Sequence, residues 1–167
     1  MTIRRIILWA TAAIGLFVGL WAAAWPQAFY DAFPGLGRIW IAVDGPFNEH
    51  LIRDVGALYL ALAAASIAAT FSRTPDAGRV IGVAWTVFGI PHLIYHATGF
   101  AGMAPVDVIG NIVSLGASLG LGIVLMLPDP RGARPDPGSW ERATGATRHD
   151  AQPAERDAQR AQREEAR

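Results

Sequence analysis

VIGVAWTVFGIPHLIYHATGF, residues 80–100, is an apolar run of bilayer-crossing length interrupted by Pro91, His92, Tyr95 and His96. A helix rises about 1.5 Å per residue, so about 20 residues cross a hydrocarbon core about 30 Å thick. This run carries no charge, yet two histidines stand one helical turn apart in it. Lipid offers an imidazole nothing to hydrogen-bond, so the histidine face must turn toward protein. The stretch therefore predicts a membrane helix packed among others rather than a lone anchor.

Three further runs without charge flank it, at residues 6–24, 55–71 and 108–127. The expected fold class is all-α: an integral membrane four-helix bundle over residues 1–127, spans about 6–24, 55–71, 80–100 and 108–127, with a disordered C-terminal tail over 128–167. The mean hydropathy of +0.29 averages two unlike parts. Of the 14 basic and 14 acidic residues, only 12 fall in residues 1–127. After Leu127, Pro128, Pro130, Pro135 and Pro137 stop any helix. The segment beyond them is rich in Arg, Glu, Asp and Gln and holds too little apolar surface to offset the entropy of ordering.

The formal net charge is zero, so there is no electrostatic basis for nucleic-acid binding. The expected partners are the lipid bilayer and, through the tail, another membrane or cytoplasmic protein. No cysteine is present, which excludes disulfides, thiolate metal sites, Fe–S clusters and covalent haem. Every basic residue is Arg, and Ala, Gly and Pro are abundant, a coding bias of GC-rich bacterial genomes.

Basic residues near span ends set orientation. Arg4, Arg5, Arg73, Arg79, Arg131 and Arg134 fall on one side, and Arg38 and Arg53 on the other. The expected location is the bacterial inner membrane, multi-pass, with both termini cytoplasmic. The first run exceeds the h-region of a signal peptide, about 7–15 residues, and reads as an anchor rather than a cleaved leader.

Between the first two spans, Trp25, Phe29, Tyr30, Phe33, Trp40 and Phe47 suit the headgroup layer. Residues 37–43 read equally as a surface helix or a re-entrant piece. Asn48 is a helix N-cap with Glu49 in the first turn. Ala57, Ala61, Ala65 and Ala69 form a smooth face for close helix approach. The pairs Gly15/Gly19 and Gly116/Gly120 predict intramolecular helix contacts of the same kind.

The three-and-four spacing puts Trp85, Phe88, His92, Tyr95 and His96 along one stripe. The second helix starts on the outer side with Glu49, His50, Arg53 and Asp54, and the fourth brings Asp107 and Asn111. A polar cluster in the outer half of the bundle is expected, with His92, His96, Tyr95, Arg53, Asp54 and Asn111 as candidate ligand-binding residues. Two histidines four apart can share one divalent metal, with Glu49, His50 or Asp54 completing its shell. The first reading of the pair is packing, each imidazole bonding a neighbouring helix, with a ligand, lipid or proton-handling site as the alternative. The pair cannot supply both axial ligands of one haem, which come from opposite faces. Glu49/Arg53 and His50/Asp54 are spaced for ion pairs within the helix. Arg53 with Asp54 reads as a structural clasp or as part of the site.

Asn48, Arg53-Asp54, Gly56 with the Leu/Ala run after it, and the Pro91-His92 helix resemble small four-helix membrane proteins of the DoxX-like group. The resemblance covers residues 1–127. It implies a four-helix bundle of the bacterial inner membrane, and some members are associated with membrane oxidoreductase systems. No catalytic residue carries over from it. A weaker likeness, to membrane hydrolases with zinc on a His-xxx-His helix, meets a mismatch: those have about seven spans and further ligands. The sequence thus leads to an accessory membrane protein, with a membrane enzyme or redox component as the alternative.

Overall fold

Proline opens three of the five helices among the described residues. The computed structural model describes residues 2–128 and Glu164. The expected disordered tail otherwise lies outside the described residues, and the unit that holds the long helices is Met1–Leu127. Helix α1, Ile3–Ala24, ends where Trp25 leaves helical geometry. Pro26 lacks an N–H but suits a first helical position, and it opens the short α2, Pro26–Ala32. Strands β1, Pro34–Gly35, and β2, Arg38–Ile39, then pair antiparallel, Pro34 opposite Ile39 and Gly35 opposite Arg38. Leu36 and Gly37, both at positive φ (58° and 72°), form the two-residue turn that suits the twist of such a hairpin.

Helix α3, Glu49–Phe71, is capped as expected: the Asn48 side chain accepts from the Leu51 N–H at 3.1 Å. Helices α4, Pro75–Thr98, and α5, Pro105–Met126, each begin on a proline. Helix α4 runs through Pro91, which is exposed. Four helices are long and apolar enough to cross a membrane: α1, α3, α4 from Asp76 onward, and α5. The expected four spans are present. The hairpin and α2 refine the expected reading of residues 25–47, where residues 37–43 hold a strand of the hairpin and do not form the surface helix.

Helix α1 packs along α3, and α4 along α5, with lesser contacts joining the two pairs. Small residues permit both crossings. A methyl group built on Gly15 would lie 2.8 Å from the Tyr59 carbonyl oxygen, and one on Gly56 2.5 Å from the Ala23 nitrogen. At the other crossing, a methyl on Gly82 would lie 2.7 Å from the Gly122 carbonyl oxygen. Backbones this close gain dispersion over their whole length, the main attraction available between helices in lipid.

Two expectations need correction. The Ala57/Ala61/Ala65/Ala69 stripe is not the close-approach face, since Ala57 and Ala61 are exposed. Helix α3 instead buries Ile52, Gly56, Tyr59, Leu62, Ala63, Ser66 and Thr70, and on this face Tyr59 and Ala63 lie opposite Gly15, and Gly56 opposite Gly19. Gly15/Gly19 thus behaves as expected. For Gly116/Gly120, a methyl on either would meet nothing within 4 Å, and Gly122 makes the contact instead.

Trp85 sits at the centre, fully buried. Its Nε1–H donates to Ser66 Oγ at 3.1 Å, and Ser66 donates to the Leu62 carbonyl at 2.8 Å. Thr11 Oγ1 lies 3.2 Å from Ser66 Oγ and 2.9 Å from the Leu8 carbonyl, so its one proton is shared between them. One hydroxyl thereby ties α1, α3 and α4 together. At one end of the bundle, Arg4 donates to the carbonyls of Leu125 (3.1 Å) and Leu127 (2.8 Å). A cation there complements the negative end of the α5 dipole. The start of α1 and the end of α5 therefore share this arginine end.

Gly56→Val should destabilise the bundle by about 1–3 kcal/mol through overpacking against the α1 backbone. Gly116→Ala, with open space around it, should leave stability unchanged or raised. Thermal unfolding of the detergent-solubilised chain checks both.

Candidate functional site

The end of the bundle opposite Arg4 is closed by residues 25–48. Aromatic rings hold this cap to α1: Trp21 packs on Phe17 and Phe33 at 5.8 and 5.9 Å between centroids, and Phe33 on Phe29 and Trp40 at 4.6 and 6.0 Å. The Trp40 ring rests on Gly110, where a methyl group would come within 2.8 Å of it. Its Nε1–H donates to Asp107 Oδ1 at 3.0 Å, and Arg38 Nη1 donates to Asp107 Oδ2 at 3.3 Å. The carboxylate lies in the first turn of α5, where the helix dipole favours negative charge. One aspartate thus latches the whole cap to the last span. On the α3 side, Tyr30 OH donates to the Gly45 carbonyl at 2.7 Å. Arg53 donates to Glu49 at 2.8 Å and also to the Ala23 carbonyl at the end of α1.

Beneath the cap lies the histidine pair. The His92 ring is half-buried against Phe88 (5.0 Å), Tyr59 (6.4 Å) and His96 (4.9 Å). His96 Nδ1 stands 4.0 Å from Asp44 Oδ2, with side-chain exposures of 12% and 25%. That distance is too long for a hydrogen bond, so the attraction is coulombic. Burial pushes the Asp44 carboxyl above its ordinary range, and the neighbouring His96 offsets part of that rise. Asp44, His96 and His92 form a line of ionisable groups leading from the cap into the bundle.

Asn111, on α5, is 3% exposed, and its side-chain amide bonds no other described residue. The backbone carbonyl of Asn111 accepts from Ser114 Oγ at 3.1 Å. Gly89 faces Leu119, and Gly122 faces Thr86, so the antiparallel register carries Asn111 to the level of His96.

The structure therefore brings His92, His96 and Asn111 to the capped half and sets the other expected residues apart. His50, with 89% of its side chain exposed, pairs with Asp54 at 3.3 Å, and Glu49 pairs with Arg53. These are the expected ion pairs within α3, and in them Arg53 and Asp54 bond to other partners rather than to each other. The expected shell of His92, His96, Glu49 and His50 is not assembled: among the described residues, no three His, Asp or Glu side chains are grouped to hold a metal ion. Tyr95 is 58% exposed, and only its ring edge meets His96 at 5.3 Å. The inward stripe is Trp85, Phe88, His92 and His96. Arg38 and Trp40 lie at the end where the sequence puts them, but neither they nor Asp44 are among the expected site residues. The signal for Arg38 and Asp44 is charge in an apolar segment, since they are the only ionisable residues between Asp31 and Glu49.

The chain matches no known protein-family model, no curated protein and no solved structure.

Since the folded chain holds the Asp44 proton more tightly than the unfolded chain, Asp44 contributes stability below its ordinary value of 3.8. That contribution is lost as pH rises through the raised folded value. The melting temperature of the unaltered chain minus that of Asp44→Asn should therefore grow as pH falls from neutral toward 3.8. A difference that shrinks would contradict the burial argument.

Proposed function

We propose that the chain is an accessory, non-enzymatic protein of the bacterial inner membrane, crossing it four times with both ends in the cytoplasm. The observation that carries this reading is that the polar groups of the capped end brace the fold. Asp107 holds Arg38 and Trp40, and Arg53 holds Glu49 and the end of α1. Arg4, Arg5, Arg73 and Arg79 gather at the other end, which supports placing that end inside. In this reading the tail meets another membrane or cytoplasmic protein, and the likeness to DoxX-like proteins reflects a shared four-helix plan.

One observation favours a second reading, a redox or small-molecule component. Asp44, His96 and His92 run in sequence toward Tyr59, a path able to accept a cation or pass a proton inward.

Metal analysis of the full chain purified in detergent separates the two. The accessory reading expects no stoichiometric zinc or iron, and a lower melting temperature in the His92→Ala, His96→Ala double variant. Stoichiometric metal lost in that variant supports the second. Orientation is tested by single cysteines, since the chain has none of its own. Ala101→Cys should react with an impermeant reagent from outside intact cells, and Thr2→Cys and Arg73→Cys should not.

A further inference from the structure

On the outside of the capped end, two open grooves meet at Trp25. One, about 370 Å³, is lined by Leu16, Phe17, Leu20, Trp21 and Trp25. The other, about 570 Å³, is lined by Trp25 together with Gln27, Asp31, Phe47 and Glu49 and the small residues between them. The first is predominantly apolar, and the second carries carboxylates and an amide. An amphiphile has the same division along its length.

The dimensions agree with one leaflet of a membrane. Leu16 to Trp25 covers nine helical steps, about 14 Å, close to half of a hydrocarbon core about 30 Å thick. The walls stand ready, because Phe17 and Trp21 are already locked on each other and on Phe33. A wall ordered beforehand lowers the entropic cost of binding. Trp25 is exposed where the grooves join, and its indole N–H bonds no described residue. This is the layer in which tryptophan is favoured, and in which a glycerolipid carries its ester oxygens.

Charge identifies the headgroup. Glu49 is neutralised by Arg53 at 2.8 Å. Asp31 has a neutral partner, the Gln27 amide at 2.9 Å, and no salt bridge with any described residue. The water-facing end of the groove therefore keeps one negative charge, with acceptor capacity to spare.

We propose that the two grooves form one binding site for a phospholipid whose headgroup ends in a primary ammonium. An acyl chain lies along Leu16 to Trp25, the Trp25 N–H donates to an ester oxygen, and the ammonium donates to Asp31. The proposal rests on the membrane reading above and adds a defined lipid to it.

Native mass spectrometry of the full chain in mild detergent tests it, with phosphatidylethanolamine, phosphatidylglycerol and phosphatidylcholine of matched acyl chains. The ethanolamine lipid should be retained at one per chain, about fivefold more than the glycerol lipid, as one exposed charged contact allows, and more than the choline lipid, whose quaternary ammonium has no N–H to donate. Asp31→Asn should abolish the preference while leaving the melting temperature unchanged. Leu20→Trp, which fills the slot, should reduce retention of all three lipids alike. Retention of the glycerol or choline lipid on a par with the ethanolamine lipid overturns the proposal, as does a preference that survives Asp31→Asn. Either failure leaves the four-span accessory reading standing, because that reading is judged by cysteine labelling and metal content.

Discussion

Everything in this bundle depends on how near α1 and α3 can come. In lipid, helices are not driven together by exclusion from water, so contact area and dispersion must hold them. Gly15, Gly19 and Gly56 remove side chains where the two backbones cross, and the helices meet backbone to backbone. That approach places Thr11 against Ser66, and Ser66 in turn receives the Trp85 N–H. A wider crossing would part these hydroxyls, leaving polar atoms in an apolar interior at a cost of about 1–3 kcal/mol each.

The spans were legible because the rule behind them is severe: a charge is costly in hydrocarbon, so about 20 residues without one stand out in any apolar chain. The uncharged stretch is shorter than the helix that holds it. Helix α3 begins at Glu49, as its Asn48 cap predicts, because the side chains of Glu49, His50, Arg53 and Asp54 reach solvent while the backbone continues as helix. Small size was a poorer guide. Gly15/Gly19 and Gly116/Gly120 look alike in sequence, yet only the first pair meets a neighbouring helix, since that depends on what stands opposite.

The capped end was legible only in part. His92, His96 and Asn111 announced themselves as polar residues in apolar runs. The residues that complete this end come from the connection 25–48, whose fold depends on partners far along the chain. Trp40 and Arg38 find Asp107 across 67 and 69 positions, and Asp44 finds His96 from a turn. No local periodicity encodes such pairings. Conversely, Glu49, His50 and Asp54 looked available as ligands because sequence spacing shows neighbours along a helix but not which way its surface faces.

Arg4 holds the carbonyls of Leu125 and Leu127 across 121 and 123 positions of the chain. The ring of helices is therefore shut between the start of α1 and the end of α5. While the protein is being synthesised, α1 and α3 can join as soon as both have entered the bilayer. Arg4 must meanwhile wait at the membrane surface until α5 emerges from the ribosome and is inserted. Completion of the last helix is thus the event that closes the set of four, and a chain halted short of Leu125 would stay open at its arginine end.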